Sequence, residues 1–159
     1  ETVKAMGLGV AKDFRLALMG SGDALQPAQK QALARWLRAY AQREPGRQMV
    51  VVSSLLSAAE RDAAETALAC GAALWAIVTE PVYAIARRMG AKERGQFCAL
   101  LYRAERIRTA DGDTPDIAAA LEQSGFPAHA ALALDGDAKD FSSPVFAFGA
   151  KGIEERAAR

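Results

Sequence analysis

The chain has one histidine, two cysteines and few aromatic residues, 7% of 159 positions. Each scarcity excludes something. With His129 as the only imidazole, a Ser-His-Asp triad would hang on one residue in a weakly patterned segment. No group of His and Cys has metal-ligand spacing, so neither a metal nor another cofactor is expected. Cys70 and Cys98 sit in apolar surroundings without CxxC spacing. They read as reduced core residues, and the expected location is cytoplasmic. The longest apolar run, Ala67 to Val78, falls short of the roughly 20 residues of a membrane helix, and no secretory signal is visible. No GxxxxGK[ST] phosphate loop occurs. The net charge of +1 points to no class of partner until it is divided along the chain.

What is present is ordered. Apolar residues make up 51%, enough for a substantial core. The length fits one domain, on a prior of about 100–200 residues. Residues 1–159 are therefore expected to be one domain, and the start at Glu1 rather than Met fits a fragment of a longer chain.

Phe14 to Met19 reads as a strand ending in Gly20-Ser21-Gly22-Asp23. Pro27 suits the first turn of a helix whose Leu33, Trp36, Leu37 and Tyr40 form one apolar stripe. A second strand, Gln48 to Ser53, leads into Ser57-Ala58-Ala59-Glu60, a capping box. The helix it opens carries Arg61 and Glu65 as an outer i, i+4 pair and a small-residue inner face of Ala63, Ala64, Ala67 and Leu68, and it stops at Gly71. Ala73 to Val78 is apolar throughout, as in a parallel strand covered on both faces. Thr79-Glu80-Pro81 opens another helix. Gln96 to Ala104 fits helix or strand, Arg106 to Thr109 a short strand, and Asp116 to Ser124 a helix. Ala130 to Leu134 and Val145 to Phe148 fit strands, and Ile153 to Arg159 a terminal helix. Alternating strands and helices imply an α/β fold, a Rossmann-like three-layer sandwich with a mostly parallel sheet.

In such a sheet the turns after the first three strands share the carboxyl edge, where ligands bind. Gly20, Ser21, Gly22 and Asp23 offer backbone for a close-approaching phosphate or sugar. Ser53, Ser54 and Ser57 offer hydroxyls and a helix start, and Thr79 and Glu80 add a carboxylate for ribose hydroxyls or an amine. The same residues also suit ordinary strand-to-helix turns. The dinucleotide fingerprint is half present, because Leu25 stands where the third glycine belongs. Asp135-Gly136-Asp137 after a strand resembles the Asp-x-Asp of haloacid-dehalogenase-type phosphatases, but only 22 residues follow Asp137, Glu154-Glu155 is a poor substitute for that family's downstream acidic pair, and a solvated acidic turn is the simpler reading.

Charge is uneven. From Arg87 to Arg108 seven cations, including Arg88, Lys92 and Arg94, face two acids, and the following stretch to Asp140 has seven acids against Lys139. The basic segment, with Tyr83, Phe97 and Tyr102 for stacking, suits phosphates or single-stranded DNA. The two halves equally suit pairing with each other or across a homo-oligomer.

The order strand-GSG-helix followed by VVVSSLLSAAERDAAETALACGAALWAIV resembles the Rossmann-like core shared by DNA-processing protein A and the lysine-decarboxylase-like phosphoribohydrolases, over roughly residues 14–82. The phosphoribohydrolases carry a PGGxGTxxE-type loop where this chain has SSLLSAAERD, with Glu60 as the positional counterpart of their glutamate. The resemblance implies binding of a nucleotide or nucleotide-derived ligand, or of single-stranded DNA, without guaranteed catalysis. Three functions follow as expectations. One is a non-catalytic nucleotide-binding module linked to DNA processing. Another is a nucleoside or nucleotide hydrolase using Glu60 or Glu80. The last is a DNA-binding or protein-interaction module of a DNA-processing or mobile-element protein.

Overall fold

The computed structural model describes residues 13–20, 22–109, 128–134, 144–149 and 152–155. The described elements are β1 (Asp13–Met19), α1 (Pro27–Arg43), β2 (Gln48–Ser53), α2 (Ala58–Ala69), β3 (Ala73–Val78), α3 (Val82–Arg87), α4 (Ala91–Arg103), β4 (Arg106–Thr109), β5 (Ala130–Ala133), β6 (Val145–Gly149) and β7 (Gly152–Glu155). The strands form one sheet in the order β4-β3-β2-β1-β5-β6-β7. Every neighbouring pair is parallel except β6 with β7. This is the expected α/β, Rossmann-like class.

The strand periodicity of two sorts the residues onto two faces. Leu16, Leu18, Val51, Leu74, Ala76, Ala130 and Leu132 lie in a core completed by Leu33 and Leu37 of α1, Ala63 and Ala67 of α2, Ile85 of α3, and Phe97 and Leu100 of α4. Ala17, Val50, Val52, Trp75, Ile77 and Ala131 form a second buried cluster on the opposite face. Burial of both faces is what a three-layer arrangement requires, and it explains why β2 and β3 read as unbroken apolar runs. No helix of the described residues is long and apolar enough to cross a membrane.

Local signals act as expected at several points. Pro27 opens α1, Ser57 and Glu60 close a capping box on α2, and Gly71 ends that helix with φ of 91°, where a side chain would be strained. Two readings need correction. Residues 152–155 are a strand rather than the start of a terminal helix. Gly149 lies opposite Gly152, whose φ of 109° turns the chain back so that Ile153 faces Phe148. The segment from Gln96, open between helix and strand in the sequence, is helix to Arg103, the end of α4. Cys98 is exposed, because the buried stripe of α4 runs through Phe97, Leu100 and Leu101 and leaves position 98 to one side. The helix expected over residues 116–124 lies outside the described residues.

The alanine face of α2 sets its distance from the sheet and has no spare volume at Ala63, which is fully buried. Ala63→Leu is therefore expected to lower the unfolding free energy by about 1–3 kcal/mol through overpacking, measured by urea denaturation.

Candidate functional site

The strand order reverses at β1, which has β2 on one side and β5 on the other. In an open α/β sheet that reversal marks the crevice beyond the carboxyl ends of the strands as the ligand site. The turn after β1, with Gly20, Gly22 and the exposed Asp23, stands at it. The turn after β2, Ser53 to Ser57, is its neighbour, and Thr79 and Glu80 follow β3 one strand further out. Ser21, Asp135 and Asp137 lie outside the described residues.

The first two turns are bonded to each other. Ser57 Oγ lies 3.0 Å from the Gly20 carbonyl, and the Ala59 N–H donates to the Gly22 carbonyl at 3.4 Å. The Leu25 N–H donates to Asp62 Oδ2 at 2.9 Å. On the other flank of β1, the Leu134 N–H donates to the Met19 carbonyl at 2.7 Å. The glycine turn is thus held from both sides.

The serine turn is shaped by the three charged residues that open α2, all of them buried. Glu60 Oε2 takes hydrogen bonds from Ser54 Oγ at 3.1 Å and Ser53 Oγ at 3.5 Å, while Oε1 takes the Ser57 N–H at 3.1 Å. Ser57 Oγ lies 3.0 Å from the same Oε1, so its one proton is shared between Glu60 and the Gly20 carbonyl. Burial raises the Glu60 pKa above its ordinary value, opposed by the hydrogen bonds from Ser57, Ser54 and Ser53.

Arg61 is the residue the local pattern misplaced. It is 1% exposed and does not pair with Glu65 on the outside. Its Nη1 donates to the carbonyls of Leu55 and Leu56 at 3.1 and 3.0 Å, Nε to Gln96 Oε1 at 3.0 Å, and Nη2 to Glu93 Oε2 at 3.0 Å. Gln96 also donates to Asp62 and Glu65, joining α4 to α2. The guanidinium thereby fixes a turn in which Leu55 has φ of 59°, a left-handed conformation unfavourable for a bulky residue by about 1–2 kcal/mol. Leu55 is nonetheless fully buried in the core. A glycine there would relax the backbone and lose the anchor.

These bonds define what the edge can do. Three N–H groups of the first turn of α2 are occupied: Ala59 N–H by Gly22, Glu60 N–H by Ser57 Oγ, Arg61 N–H by the Ser57 carbonyl. The anion at that helix start is Glu60 itself. Ser54, whose hydroxyl donates to Glu60, and Gly20 and Gly22 of the glycine turn are half-buried at this edge. Glu80 is bound by Arg88 in a two-pronged pair at 2.7 and 2.8 Å, which holds its carboxyl below the usual range. His129 precedes β5 at the amino edge and bonds to Arg15, at the other end of the sheet from Ser57. That placement removes the triad.

In the basic segment Arg87, Lys92, Arg94, Arg103, Arg106 and Arg108 are exposed, and Tyr83 and Tyr102 are 66% and 92% exposed. The Arg87 guanidinium lies 5.6 Å over the Tyr83 ring and that of Arg106 lies 5.0 Å over Trp75. Phe97 is fully buried and cannot stack on a base. Among the described residues no group of three or more His, Cys, Asp or Glu could hold a metal ion. A scan against protein-family models gives no match for this chain, and a search of curated proteins gives none either.

Two outcomes follow. Arg61→Ala leaves two carbonyls and Glu93 without their cation and should cost about 3–5 kcal/mol of unfolding free energy in denaturant titrations. The Glu60 carboxyl titrates above its ordinary value in the folded state, so its contribution favours folding at acid pH and is lost as pH rises from near 4.5 through the raised folded value. Glu60→Gln should flatten that decline in a series of thermal melts across pH.

Proposed function

We propose that the chain is a non-catalytic Rossmann-like module that binds a nucleotide or nucleotide-derived ligand at the carboxyl edge of its sheet. The observation that carries this reading is the tie between the first two turns at the strand-order reversal, Ser57 to Gly20 and Ala59 to Gly22. A glycine turn held in advance presents backbone to phosphate or ribose with little ordering cost on binding. The lack of catalysis rests on how the carboxylates are used. Glu60 accepts bonds from its own turn on both oxygens, Asp62 accepts from Leu25 and Gln96, and Glu80 is held by Arg88. A hydrolase would need one of them turned toward an attacking water.

A second reading rests on the exposed Tyr83, stacked with Arg87, and on Tyr102 within the same basic segment. Aromatic faces among cations suit single-stranded nucleic acid.

One titration separates the two. A labelled adenine nucleotide should bind saturably with little change between low and moderate salt, and Ser54→Trp should weaken it at least about tenfold, roughly 1.4 kcal/mol, without loss of the folded baseline. Unchanged affinity in Ser54→Trp would sink the placement. Single-stranded DNA binding that collapses with salt and is lost in a Tyr83→Ala, Arg87→Ala variant would favour the second reading.

A further inference from the structure

Ser57 has one hydroxyl hydrogen and two acceptors within reach of it. Its Oγ lies 3.0 Å from the Gly20 carbonyl and 3.0 Å from Glu60 Oε1, and it accepts the Glu60 N–H at 3.1 Å. A hydroxyl donates one hydrogen, so the two acceptors compete for it. The choice has a structural meaning. The bond to Gly20 spans 37 positions of the chain and ties the serine turn to the glycine turn, whereas the bond to Glu60 stays within the capping box.

The charge on Glu60 decides the choice. As a carboxylate it only accepts, and bonds to an ionised acceptor are roughly twice as strong as bonds to a neutral one, so it draws the Ser57 hydrogen away from Gly20. A proton on Glu60 reverses this whichever oxygen carries it. On Oε1 it becomes a donor to Ser57 Oγ, whose own hydrogen then turns to Gly20. On Oε2 it donates to Ser54 or Ser53, 3.1 and 3.5 Å away, and Oε1 is left a neutral acceptor that keeps the Ser57 N–H at 3.1 Å. The surroundings favour the neutral form. Burial is the first cause acting on Glu60 and raises its pKa, opposed by the hydrogen bonds from Ser57, Ser54 and Ser53. The charged groups around it are engaged elsewhere. On α2, Arg61 bonds to Leu55, Leu56, Gln96 and to Glu93 of α4, and Asp62 accepts from Leu25 and Gln96. Beyond β3, Glu80 is held by Arg88, and Asp23 of the glycine turn is exposed.

We propose that the proton on Glu60 switches the tie between the two turns: with Glu60 neutral the Ser57 hydrogen is held by the Gly20 carbonyl, and with Glu60 ionised it is held by the carboxylate and the Gly20 bond is lost. The bond from the Ala59 N–H to Gly22 involves neither group and stays in both states. The glycine turn is thus tied to α2 and the turn before it at two points on the acid side of the transition and at one point on the alkaline side. A consequence for binding rests on the nucleotide reading: a turn tied at two points needs less ordering around phosphate, so affinity falls as pH rises through the Glu60 transition.

The switch is read first without ligand, by NMR across a pH series. The Glu60 Cδ resonance reports ionisation, and the Gly20 carbonyl carbon reports the bond it accepts. The Gly20 carbon should shift with the same midpoint as Glu60 Cδ. The field of the carboxylate also acts on that carbon, so the hydroxyl is the control. Ser57→Ala keeps the carboxylate and should abolish the Gly20 step, Ser57→Thr should retain it, and Glu60→Gln should hold Gly20 at its acid-side position at every pH. A flat Gly20 carbon while Glu60 titrates, or a step that survives in Ser57→Ala or in Glu60→Gln, would overturn the proposal. The labelled adenine nucleotide is then titrated on both sides of the midpoint, with Glu60→Gln correcting for protonation of the nucleotide itself. Across the midpoint the unaltered protein should lose about two- to tenfold in affinity relative to Glu60→Gln, the range of one hydrogen bond. An equal change in both proteins would overturn the consequence for binding. Absence of nucleotide binding at every pH would sink the nucleotide reading, and the Gly20 step alone would still decide the switch.

Discussion

The guanidinium of Arg61 is the constraint on which the carboxyl edge depends. A buried cation is tolerated only when its hydrogen bonds are met, and here they are met by two turn carbonyls, a glutamine and a carboxylate. Because those acceptors come from the serine turn and from α4, one side chain fixes the turn that follows β2 and the helix packed beside it. Its neighbours in sequence extend the same logic. Glu60 turns into the serine bracket and Asp62 reaches the glycine-turn segment at Leu25. Three consecutive charged residues, usually a sign of a solvated surface, thus form the interior frame of the edge.

This frame accounts for a turn without glycine after β2. In glycine-rich corners flexibility allows backbone to meet a ligand, and rigidity must come from the ligand or the surroundings. Here Leu55 takes the left-handed conformation while its side chain is sunk in the core, and Arg61 holds the carbonyls that result. The corner is stiff without a ligand. Its hydroxyls are directed to Glu60 and Gly20, so it acts as the brace for the glycine turn beside it.

What could be read from the sequence was what depends on near neighbours. The capping box at Ser57 and Glu60, the apolar stripe from Leu33 to Tyr40, the stop at Gly71 and the two-sided burial of β3 are set within a few residues, and they stand in the structure. The failures are partners far away in the chain. Arg61 and Glu65 have ideal spacing for a surface pair, yet the acceptor that decides the matter, Glu93, is a helix away. The segment from Ile153 has charges that suit a helix, but Gly149 and Gly152 close it into a hairpin against β6. Phe97 was offered for stacking because its exposure depends on which face α4 buries, and that cannot be read from an isolated Phe. The bond between Arg15 and His129 could not be found at all, since the two are 114 positions apart.

That separation has a consequence for how the chain acquires its shape. β1 to β4 are laid down in sequence order, each pairing with the strand before it across a short crossover. β5 must return across the whole of that wing to pair with β1, and closing so long a loop carries an entropy cost that the earlier pairings do not. The seam between β1 and β5 is therefore costlier to close than the pairings among β1 to β4, and one end of it carries the candidate site. Below the seam the imidazole of His129 meets Arg15, and above it the glycine turn meets the strand-order reversal. A ligand at the upper end would bind only the closed chain and would draw the equilibrium toward closure by mass action. A pairing that is costly to close is the one that a ligand there would be best placed to lock.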